Sequence, residues 1–157
     1  MEFNKLLANI NIELSDRQLE QFGIYFKFLV EYNEYVNLTA ITEEEDVYIK
    51  HFYDSILVGQ VLDLTTVNSI CDVGSGAGFP SIPLKIMYPE LEVTIVETLG
   101  KRVTFLNELA NALNIKINAL HARAEECTDL RESFDIVTAR AVANMPLLCE
   151  LCIPLVK

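Results

Sequence analysis

The sequence predicts an α/β protein, a doubly wound parallel sheet over residues 68–157 preceded by a helical extension over residues 1–67. Three observations carry that prediction. From about residue 68, short apolar runs alternate with segments of helical periodicity, the pattern of a parallel sheet covered by helices. Before that point apolar residues recur only at helical spacing. At the junction lies "ICDVGSGAGFPSIPL", Ile70 to Leu84, whose alternating glycines suit the first turn of a sheet that holds a cofactor.

Each element has a local reason. Ser15, with Gln18 three residues on, reads as a capping box, and Leu19, Phe22, Phe26, Leu29 and Val30 then form one apolar stripe. "NLTAIT" interrupts it. Thr42 with Glu45 reads as a second capping box opening "EEEDVYIKHFYDSILVGQVL", whose leading acids favour the helix dipole. Strands follow at 69–73, 92–97, 115–121 and 134–140. The helices between them are "PSIPLKIMYP", with Pro83 tolerated in its first turn, and "GKRVTFLNELANALN", with Val103, Leu106, Leu109, Ala110 and Leu113 on one side. "NMPLLCELCIPLVK" reads as one more helix. Four strands are half of a doubly wound sheet, so the C-terminal strands are expected to be missing from this chain.

Composition narrows the class. The net charge is −11, and residues 1–60 hold four Lys/Arg against eleven Asp/Glu. Such a surface repels polyanions, so a nucleic-acid partner requires the few cations to gather at one place. Lys50, Lys101, Arg102, Arg123 and Arg140 are the residues expected to do so. No apolar run has the length of a membrane span, and the first residues do not read as a secretory signal, so a cytoplasmic protein is expected. Cys71, Cys127, Cys149 and Cys152 read as buried, reduced thiols; the C-x-x-C of the last two has no second half to complete a metal site.

The glycine turn selects its ligand by what it lacks. A dinucleotide fingerprint is G-x-G-x-x-G, whereas Gly74, Gly76 and Gly78 give G-x-G-x-G, with Phe79 at the place of the helix-packing glycine. Pro80 and Pro83 remove two N–H donors that a pyrophosphate would use. Asp72, directly before the turn, would repel a phosphate and suit a cation. S-adenosylmethionine, with an amine and a sulfonium, fits these departures. Glu97 ends the second strand, where a carboxylate can accept both hydrogen bonds of a ribose diol.

"DVGSGAGFPSIPL", "ETLGKRVTFL", "ARAEE", "DIVTARA" and the lead-in "HFYDSI" resemble the bacterial GidB/RsmG family in their order, from about residue 15 onward. The resemblance implies a Rossmann-like class I methyltransferase that moves methyl from S-adenosylmethionine to guanine nitrogen 7 of small-subunit (16S) ribosomal RNA. It further implies that Gly74, Gly76 and Phe79 lie along the methionine part of the cofactor. Glu97, Thr98 and Leu99 would flank ribose and adenine, Ala124 and Glu125 would meet the adenine edge, and Arg140 would reach cofactor or target. The implied partner is the RNA or the ribosomal particle, with the enzyme a monomer.

What is absent agrees with that chemistry. "TARAVANMP" carries no N/D-P-P-Y/F for an exocyclic amine, and no Pro-Cys supplies a nucleophile for pyrimidine carbon 5. Nitrogen 7 needs only placement in line with the sulfonium methyl. On the substrate side, His51 and Asp54 are neighbours on one helix face, with an ordinary surface pair as the alternative. Lys101 and Arg102 oppose the dipole at a helix start, which suggests a phosphate or RNA contact, with solvated side chains as the alternative. Two other functions stay open at this point. A nicotinamide-dependent oxidoreductase would want the missing fingerprint and a Tyr-x-x-x-Lys that the chain lacks. A truncated, non-catalytic domain of this fold would use its acidic helices to bind a protein.

Overall fold

The computed structural model describes residues 2–62, 64–127, 130, 133–139 and 156. The expected helix around "NMPLLCELCIPLVK", Arg140, Cys149 and Cys152 lie outside the described residues.

The chain opens with α1 (Glu2–Asn9), inside the expected helical extension although no separate bounds are read there; its Phe3 and Leu7, one turn apart, are both buried. Helix α2 (Asp16–Asn33) starts where its capping box places it. The Gln18 N–H donates to Ser15 Oγ at 3.1 Å, and the Ser15 N–H donates to Gln18 Oε1 at 2.9 Å. Ser15→Ala is expected to lower the unfolding free energy by about 1 kcal/mol in a denaturant titration, the usual effect of losing an N-cap. The stripe is less regular than its spacing implies. Phe22, Tyr25 and Leu29 are buried, but Leu19 is 40% exposed, and the buried position beside it is Gln21. Its Nε2 donates to the Leu113 carbonyl at 3.0 Å.

The second helical run departs from its signal. The N-cap is Glu43 rather than Thr42, with no side-chain capping bond, so the Thr42–Glu45 box is not formed. Helix α3 (Glu44–Val47) runs into a π-helical turn, Tyr48–Tyr53, and then into α4 (Asp54–Val61). The Asp54 N–H reaches the Ile49 carbonyl five residues back. A π turn rotates the following residues relative to an α-helix and is frequent at functional sites.

Strands β1 (Ser69–Val73) and β2 (Glu92–Glu97) match their expected bounds. Strand β3 (Asn118–His121) begins three residues late, because Asn114 ends the preceding helix in the left-handed conformation (φ 56°) and the Ile115 N–H bonds back to Ala110. Strand β4 (Ile136–Ala139) falls inside its expected range. Helices α5 (Ser81–Met87) and α6 (Gly100–Leu113) connect β1 to β2 and β2 to β3. All pairings are parallel, in the order β3-β2-β1-β4. The chain moves outward from β1 to β3 and then returns to the other side of β1. That reversal opens a crevice above the carboxyl end of β1, where open α/β sheets bind ligands.

Strand alternation divides the core. Ile70, Val93 and Ile95 face α5 and α6 and join one apolar cluster with Phe3, Phe22, Tyr25, Leu29 and Phe52 of the extension. Cys71, Val73 and Val96 face the other way, against Ala124, Cys127 and Phe134. Cys71 and Cys127 are buried, as expected of them. The extension therefore shares the core of the sheet, which lets it act on the turn above β1.

Candidate cofactor and substrate sites

The turn leaves β1 with the Gly74 N–H donating to the Val96 carbonyl at 2.8 Å. Gly78 adopts φ +94°, and a Cβ there would stand 2.8 Å from both Ile82 Cδ1 and Tyr25 Oη. Only glycine satisfies both the dihedral and the space. The Tyr25 hydroxyl donates to the Ala77 carbonyl at 2.5 Å, tying the turn to α2.

Asp72, near the end of β1, and Phe79 of the turn take different places from those their sequence suggested. The Asp72 carboxylate is fully buried on the α5 side of the sheet, where Oδ2 accepts from the Ser81 N–H at 3.4 Å. Strand alternation puts it beneath the start of α5, where it balances backbone N–H groups of the helix. Phe79, expected along the methionine, is 4% exposed. Its ring lies parallel to that of His51, with centroids 4.3 Å apart, and to that of Tyr25 at 5.5 Å. The residue that replaces the third fingerprint glycine joins the turn to the extension.

Glu97, at the end of β2, is 2% exposed. One oxygen accepts from the Gly76 N–H at 3.2 Å and the other from the Leu99 N–H at 3.3 Å. Arg102 approaches the carboxylate at 3.8 Å, and its other terminal nitrogen donates to the Asn37 carbonyl at 3.0 Å. The expectation of a phosphate contact at Arg102 gives way to an intramolecular strut between β2 and the loop after α2. A carboxylate offers about four lone-pair sites, so Glu97 keeps acceptor capacity for a ribose. Its grip on Gly76 also makes it the post that holds the turn.

Two cavities flank the turn. One, about 310 Å³, is lined by Gly74, Thr98, Ala124 and Glu125 together with Val73, Val96, Ala122 and Arg123. Residues far apart in sequence and singled out for the cofactor thus converge above β1, β2 and β3. The other, about 360 Å³, is lined by Asp54, Ser55, Val58 and Pro80 together with Val137, Thr138 and Ala139 at the end of β4. The π turn separates the paired substrate-side candidates in role. Asp54 faces this cavity, while His51 stacks on Phe79 and shares a 2.9 Å hydrogen bond with the Thr39 hydroxyl. Sequence reasoning missed Tyr25 and His121, whose Nε2 lies 3.0 Å from the Thr98 carbonyl. Neither belongs to a local motif, since each acts across the fold.

Of the cations expected to gather, Arg102 and Arg123 flank the glycine turn with Lys101 next to Arg102, while Lys50 is on the π turn of the extension and Arg140 lies outside the described residues. Lys101 and Arg102 line one cavity with Leu99, Arg123 lines the 310 Å³ cavity and pairs with Glu125 at 3.9 Å, and Lys50 pairs with Asp46 at 3.8 Å.

A parallel sheet with its ligand crevice at the reversal beside β1, a turn without the dinucleotide glycine, and an acid ending β2 define a class I S-adenosylmethionine-dependent methyltransferase. Among solved structures the fold is similar to that of coclaurine N-methyltransferase bound to N-methylheliamine and SAH. The TM-score is 0.61 at 14% identity, covering 99% of this chain and 53% of that one. Residues 18–157 match the family described as GidB, rRNA small subunit methyltransferase G, and the chain belongs to that family. Ribosomal RNA small subunit methyltransferase G of Bacillus velezensis is 56% identical over 160 residues, and that of Bacillus subtilis is 57% identical. In both cases 99% of this chain is covered, and the chain spans about two thirds (67%) of the relative's length. Among the described residues no helix is long and apolar enough to cross a membrane.

Proposed function

We propose that this protein transfers a methyl group from S-adenosylmethionine to nitrogen 7 of a guanine in small-subunit ribosomal RNA. The observation that carries the reading is the convergence of Gly74, Thr98, Ala124 and Glu125 on one cavity beside the glycine turn. The donor set fits the cofactor. Glycines approach closely without side chains, Glu97 has lone pairs for a ribose diol, and the loop after β3 supplies a further carboxylate. S-adenosylmethionine supplies a methyl already activated on a cationic sulfur.

The residues of the chain then have positional tasks. Gly74 and Gly76 border the methionine portion, Glu97 orients the ribose, and Thr98, Ala124 and Glu125 border the adenine, while Leu99, which the resemblance also put there, lines the adjoining cavity with Lys101 and Arg102. Arg140, which follows β4, is assigned to cofactor or target on the strength of the family resemblance. The target base enters the cavity of Asp54 and Thr138, across the turn from the donor. Nitrogen 7 carries a lone pair and no proton, so no general base is required; alignment alone supplies on the order of 7–11 kcal/mol in well-oriented reactions. The Asp54 carboxylate faces the positive charge that develops on the purine. We read the enzyme as a monomer on the family resemblance, and a ribosomal substrate is consistent with action in the cytoplasm.

Calorimetric binding of S-adenosylhomocysteine, followed by transfer of labelled methyl to small-subunit RNA, tests this reading. Deproteinised RNA and assembled particles are compared, and the modified base is mapped. Label at guanine nitrogen 7 is expected. Label on another atom, or on protein, would overturn the assignment.

A further inference from the structure

We propose that the cavity between the loop after α2 and the start of α6 binds a single-stranded RNA nucleotide next to the target, its base stacked on Tyr35 and its phosphate on Lys101. This rests on the reading of ribosomal RNA as substrate. The cavity, about 410 Å³, is lined by Tyr35, Asn37, Leu99, Lys101 and Arg102 among others, and no Asp or Glu lines it. In a chain of net charge −11 that is an unusual local balance, and it suits an anion.

Tyr35 is 79% exposed and Leu99 is 50% exposed, an apolar pair presented to solvent. The loop that carries Tyr35 is held from both sides. Asn33 Oδ1 accepts from the Leu38 and Thr39 N–H groups at 2.9 and 3.0 Å, and the Asn37 carbonyl accepts from Arg102 at 3.0 Å. An aromatic ring on a pinned loop is a preorganised stacking platform, and base stacking on such rings is how unpaired RNA is commonly held. Arg102 is committed to Glu97 and Asn37, so Lys101 is the cation left for a phosphate; it has no ion pair among the described residues. Leu99 and Gly100 follow Thr98 of the cofactor cavity directly, so a strand lying here runs beside the donor.

The test measures fluorescence anisotropy of a short labelled single-stranded oligoribonucleotide against a duplex of the same length, with S-adenosylhomocysteine affinity measured in parallel by calorimetry. Tyr35→Ala is expected to weaken single-strand binding by roughly 5- to 100-fold, with Tyr35→Phe restoring it to within about twofold. Lys101→Ala is expected to reduce the slope of log affinity against log salt by about 0.7, the share of one phosphate on a single strand. Affinity for S-adenosylhomocysteine is expected to stay unchanged in all three variants. A parallel fall in that affinity would make the cavity part of the adenine site and overturn the proposal, as would Tyr35→Ala binding RNA like the parent. If the unaltered protein binds no single-stranded RNA, this proposal falls. If it methylates ribosomal RNA while Tyr35→Ala binds RNA equally well, this proposal alone falls and the assigned function stands.

Discussion

Replacing Phe79 with alanine is expected to lower the unfolding free energy by about 3–5 kcal/mol, the usual range for emptying a buried aromatic site. At about 2–4 °C per kcal/mol for a chain of this size, the thermal midpoint should fall by roughly 6–20 °C. The physical reason is the position of the ring. It stacks with His51 of the π turn and with Tyr25 of α2, and it is also in contact range of Phe52, with centroids 6.0 Å apart. Truncation leaves a gap between the extension and the glycine turn, and the Tyr25 bond to the Ala77 carbonyl loses its packing support. Phe79→Leu keeps much of the volume and should lose less stability. Because the ring faces the core, its S-adenosylhomocysteine affinity should stay within about threefold of the parent, well short of a lost hydrogen bond to a charged group. An alanine variant that melts like the parent but binds the ligand poorly would return Phe79 to the cofactor wall.

Glu97→Gln should weaken S-adenosylhomocysteine binding by roughly 10- to 150-fold, corresponding to hydrogen bonds of a charged group worth about 1.5–3 kcal/mol. Glutamine preserves volume but leaves one carbonyl oxygen where two carboxylate oxygens now accept from Gly76 and Leu99. Its amide N–H₂ would oppose one of those donors. The turn and the ribose thus lose a shared anchor together. Arg102→Met is the informative companion. Its ion pair with Glu97 is long, at 3.8 Å, and the arginine side chain is 28% exposed, so the pair itself should contribute at most about 1 kcal/mol. A glutamine variant that binds as tightly as the parent would remove Glu97 from the ribose.

Particular residues show how far the sequence could be read. The bounds of β1 and β2 were legible because buried parallel strands are short apolar runs. The Ser15–Gln18 box was legible because a capping box closes within four residues. The similar-looking Thr42–Glu45 box failed, as the helix starts one residue later and turns into a π segment. Nothing local marks that turn; it accompanies the packing of Tyr48 and Phe52 against the core while His51 lies on Phe79. Asp72 is similar. Its neighbours in sequence are the glycines, but strand alternation buries it under α5.

By itself, the sequence determined the order of strands and helices, the presence of a glycine turn without a dinucleotide fingerprint, and an acid at the end of the second strand. These follow from spacing and residue type, which act over a few positions. Only the tertiary structure decided which faces those residues present. It placed Phe79 in the core, stacked His51 on Phe79 while Asp54 lines a cavity, and engaged Arg102 with Glu97 and Asn37. The reason is that a side chain's partner is set by the pairing of distant segments, through strand register and helix packing, and no local pattern encodes that pairing.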